Sequence, residues 1–364
     1  MSQLSVNTIT NATGGNTAQI NGMTPTADSL QGFRNRIING DMRIDQRNAG
    51  ASVTPANFDY TLDRWRAVQT NASRFSVQQN AGSVTPPAGF TNYLGATSLS
   101  AYSVTSTDVF ALYQPIEGFN SADLGWGAAG AQSVTLSFWV RSSLTGSFGG
   151  VLKNSAGNRN YPFAYAISAA NTWEQKTITV PGDTTGTWLT NNGIGVNVAF
   201  SIGAGATNSA TAGAWGTADV WQATGSVSVV GTNGATFYVT GVQLEAGSVA
   251  TPFERRDYGR ELMMCQRYYY ENPSIAGTGL GANTIARANG VHPVEMRVGP
   301  SVTVSNAVQF FNGGATVTCT GGITNYSSTR MFNVDLVIGG SGASGFATII
   351  VQPSTGKITV SAEL

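Results

Sequence analysis

The fold turns on one stretch, Gly241-Val-Gln-Leu-Glu-Ala-Gly-Ser-Val-Ala-Thr-Pro-Phe-Glu-Arg-Arg-Asp-Tyr-Gly-Arg-Glu-Leu-Met-Met-Cys-Gln-Arg-Tyr-Tyr-Tyr270. It opens as a strand, stops at Pro252, and becomes the one strongly charged helical stretch of the chain. Residues 254–270 are predicted as a short helix, because Leu262, Cys265, Gln266 and Tyr269 recur at helical spacing on one face. About four turns alone are marginal in water, so that face needs a partner. Two partners are open: a parallel bundle with other copies of the chain, or the chain's own upstream domain.

Upstream of this stretch, strand signals are dense. Phe75-Ser-Val-Gln78, Ser133-Val-Thr-Leu-Ser-Phe-Trp-Val140, Lys176-Thr-Ile-Thr-Val180, Ile194-Gly-Val-Asn-Val-Ala-Phe200 and Ala235-Thr-Phe-Tyr-Val-Thr-Gly-Val-Gln-Leu244 alternate, separated by Gly, Asn, Ser and Pro. Downstream, the same reading covers Thr303–Phe311, Ala315–Cys319, Met331–Ile338, Phe346–Val351 and Lys357–Val360. Val294 and Met296 are expected to face one way, Glu295 and Arg297 the other. Many short strands without long helical periods predict an all-β protein. Its expected parts are an antiparallel β-sandwich (jelly roll) over 33–253, a linker helix over 254–272 and a second β-sandwich over 273–364. Residues 1–32 are polar and broken by Gly14-Gly15, Asn21-Gly22 and Pro25, too bland for a core, and are read as an extended arm able to add a strand to a partner.

The 241–270 stretch, together with Phe33-Arg-Asn-Arg-Ile-Ile-Asn-Gly-Asp-Met-Arg-Ile-Asp-Gln-Arg-Asn48, closely resembles a class of bacteriophage tail-fibre and other virion appendage proteins. Such proteins attach to the particle at one end and present β domains to the host at the other. The resemblance implies that residues 1–32 are a virion-attachment arm. It also implies a homotrimer whose 254–272 helices form a bundle, with Leu262, Cys265, Gln266 and Tyr269 at the oligomer interface. The ligand implied is a host-surface glycan or outer-membrane component. Asn39-Gly40-Asp41 and the closing strand Phe237–Glu245 also resemble the ends of carbohydrate-binding jelly rolls, and Cys265–Tyr269 with Val294–Thr303 resembles the terminal domain of phage fibres. A capsid-bound fibre or decoration protein is the alternative with the same layout.

Composition sets limits. Of 364 residues, 10% are charged and 45 are Gly, with formal net charge zero. That surface suits β structure and self-assembly, and lacks the basic patch that nucleic acid needs. Arginines cluster: Arg34, Arg36, Arg43, Arg47, Arg64, Arg66 and Arg74 share a stretch with Asp41, Asp45, Asp59 and Asp63, and an internal salt-bridge network is expected. No apolar run reaches the roughly 20 residues of a membrane span, so no membrane insertion is expected. The first 33 residues lack Lys and Arg, against a secretory signal; the expected course is synthesis in a host cytoplasm and residence in the virion. Cys265 and Cys319 read as buried free thiols.

Catalysis finds few parts. The sole histidine, His292, precedes Pro293, and no nucleophile elbow is present. Asp108, Glu117, Asp123, Asp183 and Asp219 are the loosest carboxylates for a glycan depolymerase, which would need two facing each other. The chain is read as no enzyme, with no cofactor unless a structural Ca2+ sits between Asp41 and Glu245. Sugar binding needs exposed aromatic faces, and Trp126, Trp188, Trp215 and Trp221 lie among small and polar residues as candidate ligand-binding rings. Trp65 and Trp139 read as core.

Overall fold

The structure, a computed structural model, describes residues 33–364 except 274, 281–284, 306–308, 312–315, 339–349 and 353–355. The arm assigned to residues 1–32 therefore lies outside the described residues, as does most of the strand expected over Phe346–Val351.

The first domain runs through thirteen strands: β1 (Tyr60–Leu62), β2 (Trp65–Gln69), β3 (Phe75–Gln79), β4 (Leu94–Ser98), β5 (Val109–Glu117), β6 (Val134–Ser142), β7 (Gly146–Lys153), β8 (Asn160–Ile167), β9 (Glu174–Val180), β10 (Ile194–Ala204), β11 (Ser209–Ala210), β12 (Gln222–Ala223) and β13 (Thr236–Ala246). Two antiparallel sheets, β1-β2-β5-β10-β7-β8 and β3-β4-β13-β6-β9, make a jelly-roll-like sandwich. Alternation makes the core between them. Val134, Leu136, Phe138 and Val140 of β6 turn inward, as do Val196, Val198, Phe200 and Ile202 of β10, and all are buried. Phe138 meets Phe200 edge to face at 4.9 Å. In β13 the register shifts between Thr240 and Gln243, where Gly241 has φ 61 and a Cβ would strike the Phe90 ring. This bulge re-phases the strand, so that Phe237 and Val239 before it and Val242 and Leu244 after it all reach the core. Trp65 is core as expected. Trp139 is not: Phe138 and Val140 hold the inward positions, which leaves Trp139 half-buried on the outer face.

The linker differs from its expectation. α1 spans only Tyr258–Gln266, capped by Asp257, whose side chain accepts from the Arg260 N–H at 2.9 Å. Residues 253–256 stay outside the helix, and their side chains clamp the N-terminal segment: Glu254 accepts from the Asn35 N–H at 2.5 Å, and Arg256 donates to the Ile37 carbonyl at 3.1 Å. The helix stops short because Tyr269–Glu271 forms β14, paired with β22 (Ile358–Ser361). The apolar helix face packs on its own chain, with Cys265 and Tyr268 buried against Ile38 and Ile44, and Leu262, Met264 and Leu364 beside them. Asn39-Gly40-Asp41, which resembles the opening of a carbohydrate-binding jelly roll, forms a turn and not a strand. Residues 36 and 40 bond to β13, but Asn39 and Met42 have φ 57 and 60, which break a ladder.

The second domain continues through β15 (Ile275–Leu280), β16 (Ile285–Val291), β17 (Ser301–Val304), β18 (Gln309–Phe311), β19 (Thr316–Ser327), β20 (Met331–Ile338), β21 (Ile350–Gln352) and β22. Sheets β14-β22-β17 and β15-β16-β20-β19-β18-β21 share a core of Val302, Ile358 and Val360 from one, and Phe332, Val334 and Leu336 from the other. Val294–Pro300 bends instead of forming a strand; Met296 is buried and Glu295 exposed as expected, but Val294 and Arg297 are both half-buried, and Arg297 turns inward to the Asn192, Ala362 and Glu363 carbonyls.

The two domains are tied by charge. Glu363 receives Arg47 Nη2 at 2.6 Å and Arg64 Nη1, while Glu117 receives both arms of Arg267 at 2.7 and 3.0 Å and the Tyr268 hydroxyl at 2.5 Å. The arginine network exists, but with distant partners: Arg34 meets Glu245 and Arg36 meets Asp123, and only Arg43 uses a neighbouring aspartate, Asp41.

Candidate functional site

Three of the four candidate tryptophans form one cluster at an end of the sandwich. Trp126, Trp188 and Trp215 lie mutually edge to face with centroids 4.7 to 5.5 Å apart, and Tyr161 adjoins Trp215 at 5.3 Å. Their loops come together because Arg159 grips Asp183 with both arms, at 2.6 and 2.7 Å. Each indole N–H is used within the chain. Trp126 donates to the Gln132 carbonyl at 2.7 Å, Trp188 to Thr185 at 3.2 Å and Trp215 to Pro181 at 2.8 Å. Trp126 is buried and the other two half-buried. Rings that spend their faces on one another and their N–H groups on carbonyls make a small core under loops.

Trp221 sits elsewhere. The outward face of the six-stranded sheet carries Val68, Val109, Ala111, Tyr113, Val151 and Ala199. Part of it is covered by the strap containing β11 and β12, held by the Ser201 hydroxyl on Gln222 Oε1 at 2.9 Å and by Val227 N–H on the Ser147 carbonyl at 2.7 Å. A Cβ on Gly149 would collide with Ser226 and Ala223, so β7 needs glycine where the strap crosses it. Trp221 is half-buried at the strap's edge, its ring edge-on to Tyr113 at 5.6 Å. Its indole N–H finds no acceptor among the described residues, unlike those of the other three.

From Trp221 a line of rings and cations crosses the sheet. Lys153 Nζ stands 3.9 Å from the Trp221 centroid and pairs with Asp219. On the other side Arg66 lies over Tyr113 at 5.5 Å, Tyr60 at 4.9 Å and Phe58 at 5.2 Å. Phe58 is 45% exposed. Asn197 of β10 stands opposite Lys153 in register. Burial lowers the Lys153 ammonium pKa, against the pull of Asp219, and pushes the Tyr113 phenol up to about 12. The strip thus offers the half-buried Trp221 ring, a free indole donor and the exposed Asp219 carboxylate, while the Lys153 ammonium is buried between the ring and that carboxylate. Sequence reasoning found Trp221 but missed Tyr60, Arg66, Tyr113 and Lys153. The available signal was Lys153, as one of only three lysines; the run Val109–Glu117 has no polar phase to mark Tyr113 as outward.

The other candidates fall into place as structural groups. Asp41 pairs with Arg43 at 2.5 Å; Glu245 pairs with Arg34 at 3.5 Å and takes the Thr251 hydroxyl at 2.5 Å. Each carboxylate thus has its own arginine, and among the described residues no three His, Cys, Asp or Glu side chains are grouped to hold a metal ion. Of the interface candidates, Cys265 and Tyr269 are buried inside the single chain, and Leu262 and Gln266 half-buried. Cys265 and Tyr269 therefore have no apolar surface left for an axis between copies. Both cysteines are free and buried, and burial drives the Cys265 thiol pKa well up. His292 has its Nδ1 at 2.5 Å from the Tyr270 hydroxyl and its Nε2 at 3.0 Å from the Ser328 carbonyl, with burial lowering its pKa. Of the five loose carboxylates, Asp108 takes five hydrogen bonds, from Thr70, Asn71, Tyr102 and twice from Thr105. Glu117, Asp123, Asp183 and Asp219 are paired with Arg267, Arg36, Arg159 and Lys153.

No protein family and no curated protein matches the sequence. Solved structures do. The enzymatically active domain of tailspike protein 4 from bacteriophage CBA120 is 12% identical over 60% of this chain, with TM-score 0.33, and the match spans 22% of that chain. TmCBM61 in complex with β-1,4-galactotriose is 12% identical over 59% of this chain and 99% of its own, with TM-score 0.29. The family 11 carbohydrate-binding module from Clostridium thermocellum, in complex with a mixed-linked tetrasaccharide, is 12% identical over 55% of this chain and 98% of its own, with TM-score 0.27.

Proposed function

We propose that this chain is a non-enzymatic structural protein of a phage virion, an oligomeric tail fibre or spike whose jelly-roll-like domain binds a glycan of the host surface. The observation that carries the glycan reading is Trp221, which presents a half-buried ring and an indole N–H with no acceptor among the described residues, beside the exposed carboxylate of Asp219. A pyranose stacks its C–H face on such a ring and hydrogen-bonds its hydroxyls to the polar groups at the rim. Single sites of this kind are weak, and repeating them on an oligomer raises avidity without new contacts. The virion reading rests on the resemblance of residues 33–48 and 241–270 to phage appendage proteins, with residues 1–32 as the attachment arm.

The test is adsorption of the purified protein to envelope polysaccharide of the host. Trp221→Ala should weaken binding at least tenfold while the melting temperature moves by only a few degrees. Undiminished binding refutes the site. Deleting residues 1–32 should leave a folded protein that no longer joins particles; normal incorporation refutes the arm.

A further inference from the structure

The outward face of the β16, β20 and β19 sheet differs from the rest of the surface. Alternation sends Ala286, Ala288, Phe332, Val334 and Leu336 into the core. The opposite phase leaves Val291 77%, Ile323 59%, Tyr326 55% and Met331 42% exposed. Register gathers them. Val291 pairs with Met331 in one row, Asn289, Asn333 and Tyr326 form the next, and Arg287, Asp335 and Ile323 the third. Amides bridge the middle row, Asn333 Nδ2 to Asn289 Oδ1 at 2.8 Å and Asn325 Nδ2 to Asn333 Oδ1 at 3.1 Å. Arg287 holds Asp335 with two bonds of 2.7 and 2.8 Å, and Arg330 pairs with Glu295 at the rim.

We propose that this face is where copies of the chain pack against one another. Tyr, Met, Arg and aliphatic side chains in a contiguous patch, with charges only in opposite-sign pairs, match the composition of protein interfaces. The charge pattern selects the partner. Each cation has its anion on the same face, so the patch gives a strongly acidic or basic partner no field to steer by. A symmetry-related copy meets it without like-charge repulsion and can set its Arg287 against the first chain's Asp335. The zero net charge of the chain removes long-range repulsion between copies. The inference rests on the oligomeric reading above and places the interface on this sheet rather than on α1, where the chain itself buries Cys265 and Tyr269.

Sedimentation of the full chain tests it. Wild type should run at a multiple of 37.8 kDa. Ile323→Lys, and separately Tyr326→Lys, should run at the single-chain mass with unchanged far-ultraviolet dichroism, since both side chains stand outside the core. Phe119→Lys, at an equally exposed residue of the first domain, should keep the wild-type mass. A wild-type monomer overturns both this proposal and the oligomeric reading. An oligomer that survives both sheet substitutions, or that Phe119→Lys dissociates, overturns this proposal alone. Should Ile323→Lys misfold, Tyr326→Lys decides.

Discussion

Replacing Glu363 by glutamine should cost far more than its position near the end of the chain suggests. Its carboxylate is the shared partner of Arg47 and Arg64. The Arg64 side chain is 1% exposed, that of Glu363 8%. Arg64 also donates to the Pro115 carbonyl at 2.7 Å and lies 3.6 Å over the Tyr268 ring, so it cannot turn to water without unpacking the α1 junction. Gln keeps the shape and removes the charge, leaving a buried guanidinium without its anion. Breaking such a pair costs about 3–5 kcal/mol. Arg47, at 15% exposure, can recover some hydration, which puts Glu363→Gln near the lower end, about 3 kcal/mol. Urea unfolding at pH 7, followed by tryptophan fluorescence, should show the midpoint fall with little change in slope. The double replacement Arg64→Met with Glu363→Leu removes the fully buried pair and leaves only Arg47, which reaches some water, so it should cost less than Glu363→Gln alone, about 1–2 kcal/mol. A cost below about 1 kcal/mol for Glu363→Gln, or a double variant as unstable as the sum of the singles, would show that water screens the junction and that the argument is wrong.

Burial pushes the Asp63 carboxyl up to about 7, against the Arg47 charge and two Gln46 donors. The folded chain therefore keeps a proton that the unfolded chain releases near pH 4; stability should fall as pH rises from about 4 to about 7 and level off above, and Asp63→Asn should flatten that slope in a series of melting curves. Asp108 is held down at about 2 because its hydrogen bonds outweigh the burial that would raise it; its contribution is present above about pH 4 and lost as pH falls through about 2. Asp108→Asn should cost about 2–3 kcal/mol at pH 7 by urea titration. Trp188→Ala and Trp215→Ala should each lower stability by about 2–3 kcal/mol with glycan binding intact, the reverse of Trp221→Ala.

The strands that could be read were those whose alternation is carried by large side chains. Phe75–Gln79, Val134–Ser142 and Met331–Ile338 announce themselves in this way. β7 does not, since Gly146, Gly149 and Gly150 blur its period to admit the strap and close neighbours. β5 is buried on both faces and includes Pro115, so its run lacks a polar phase. The helix was misjudged at both ends for tertiary reasons: Glu254 and Arg256 reach back to residues 35–37, and Tyr269 is recruited by Ser361. The arginine network was legible as a network but not as pairs. Asp45, Asp59 and Asp63 spend their oxygens on the backbone N–H groups of Asn48, Gly50, Ala56 and Gln46, which leaves the arginines to acids that only the folded chain brings near.

That division of labour says what the arginines do. Short-range aspartates fix turns, and long-range glutamates fasten domains. Arg297 extends the second task by donating to Asn192 in the first domain and to Ala362 and Glu363 in the second, at 2.7 to 2.9 Å. Lys357 adds a bond to the Arg47 carbonyl at 3.1 Å. A flexible tether would let the two β domains average over orientations; bonds of this density, around rings that stack on the guanidinium groups, hold one. Orientation matters only if the faces at the two ends have partners with a required geometry. The glycan strip proposed for the first domain and the assembly face proposed for the second would be such a pair, because the copy number set by the assembly face would decide how many strips are presented, and in which direction. If Glu363→Gln loosened the junction without unfolding either domain, single-site affinity for the glycan should persist while avidity falls, and comparison of the two separates a hinge defect from a binding defect.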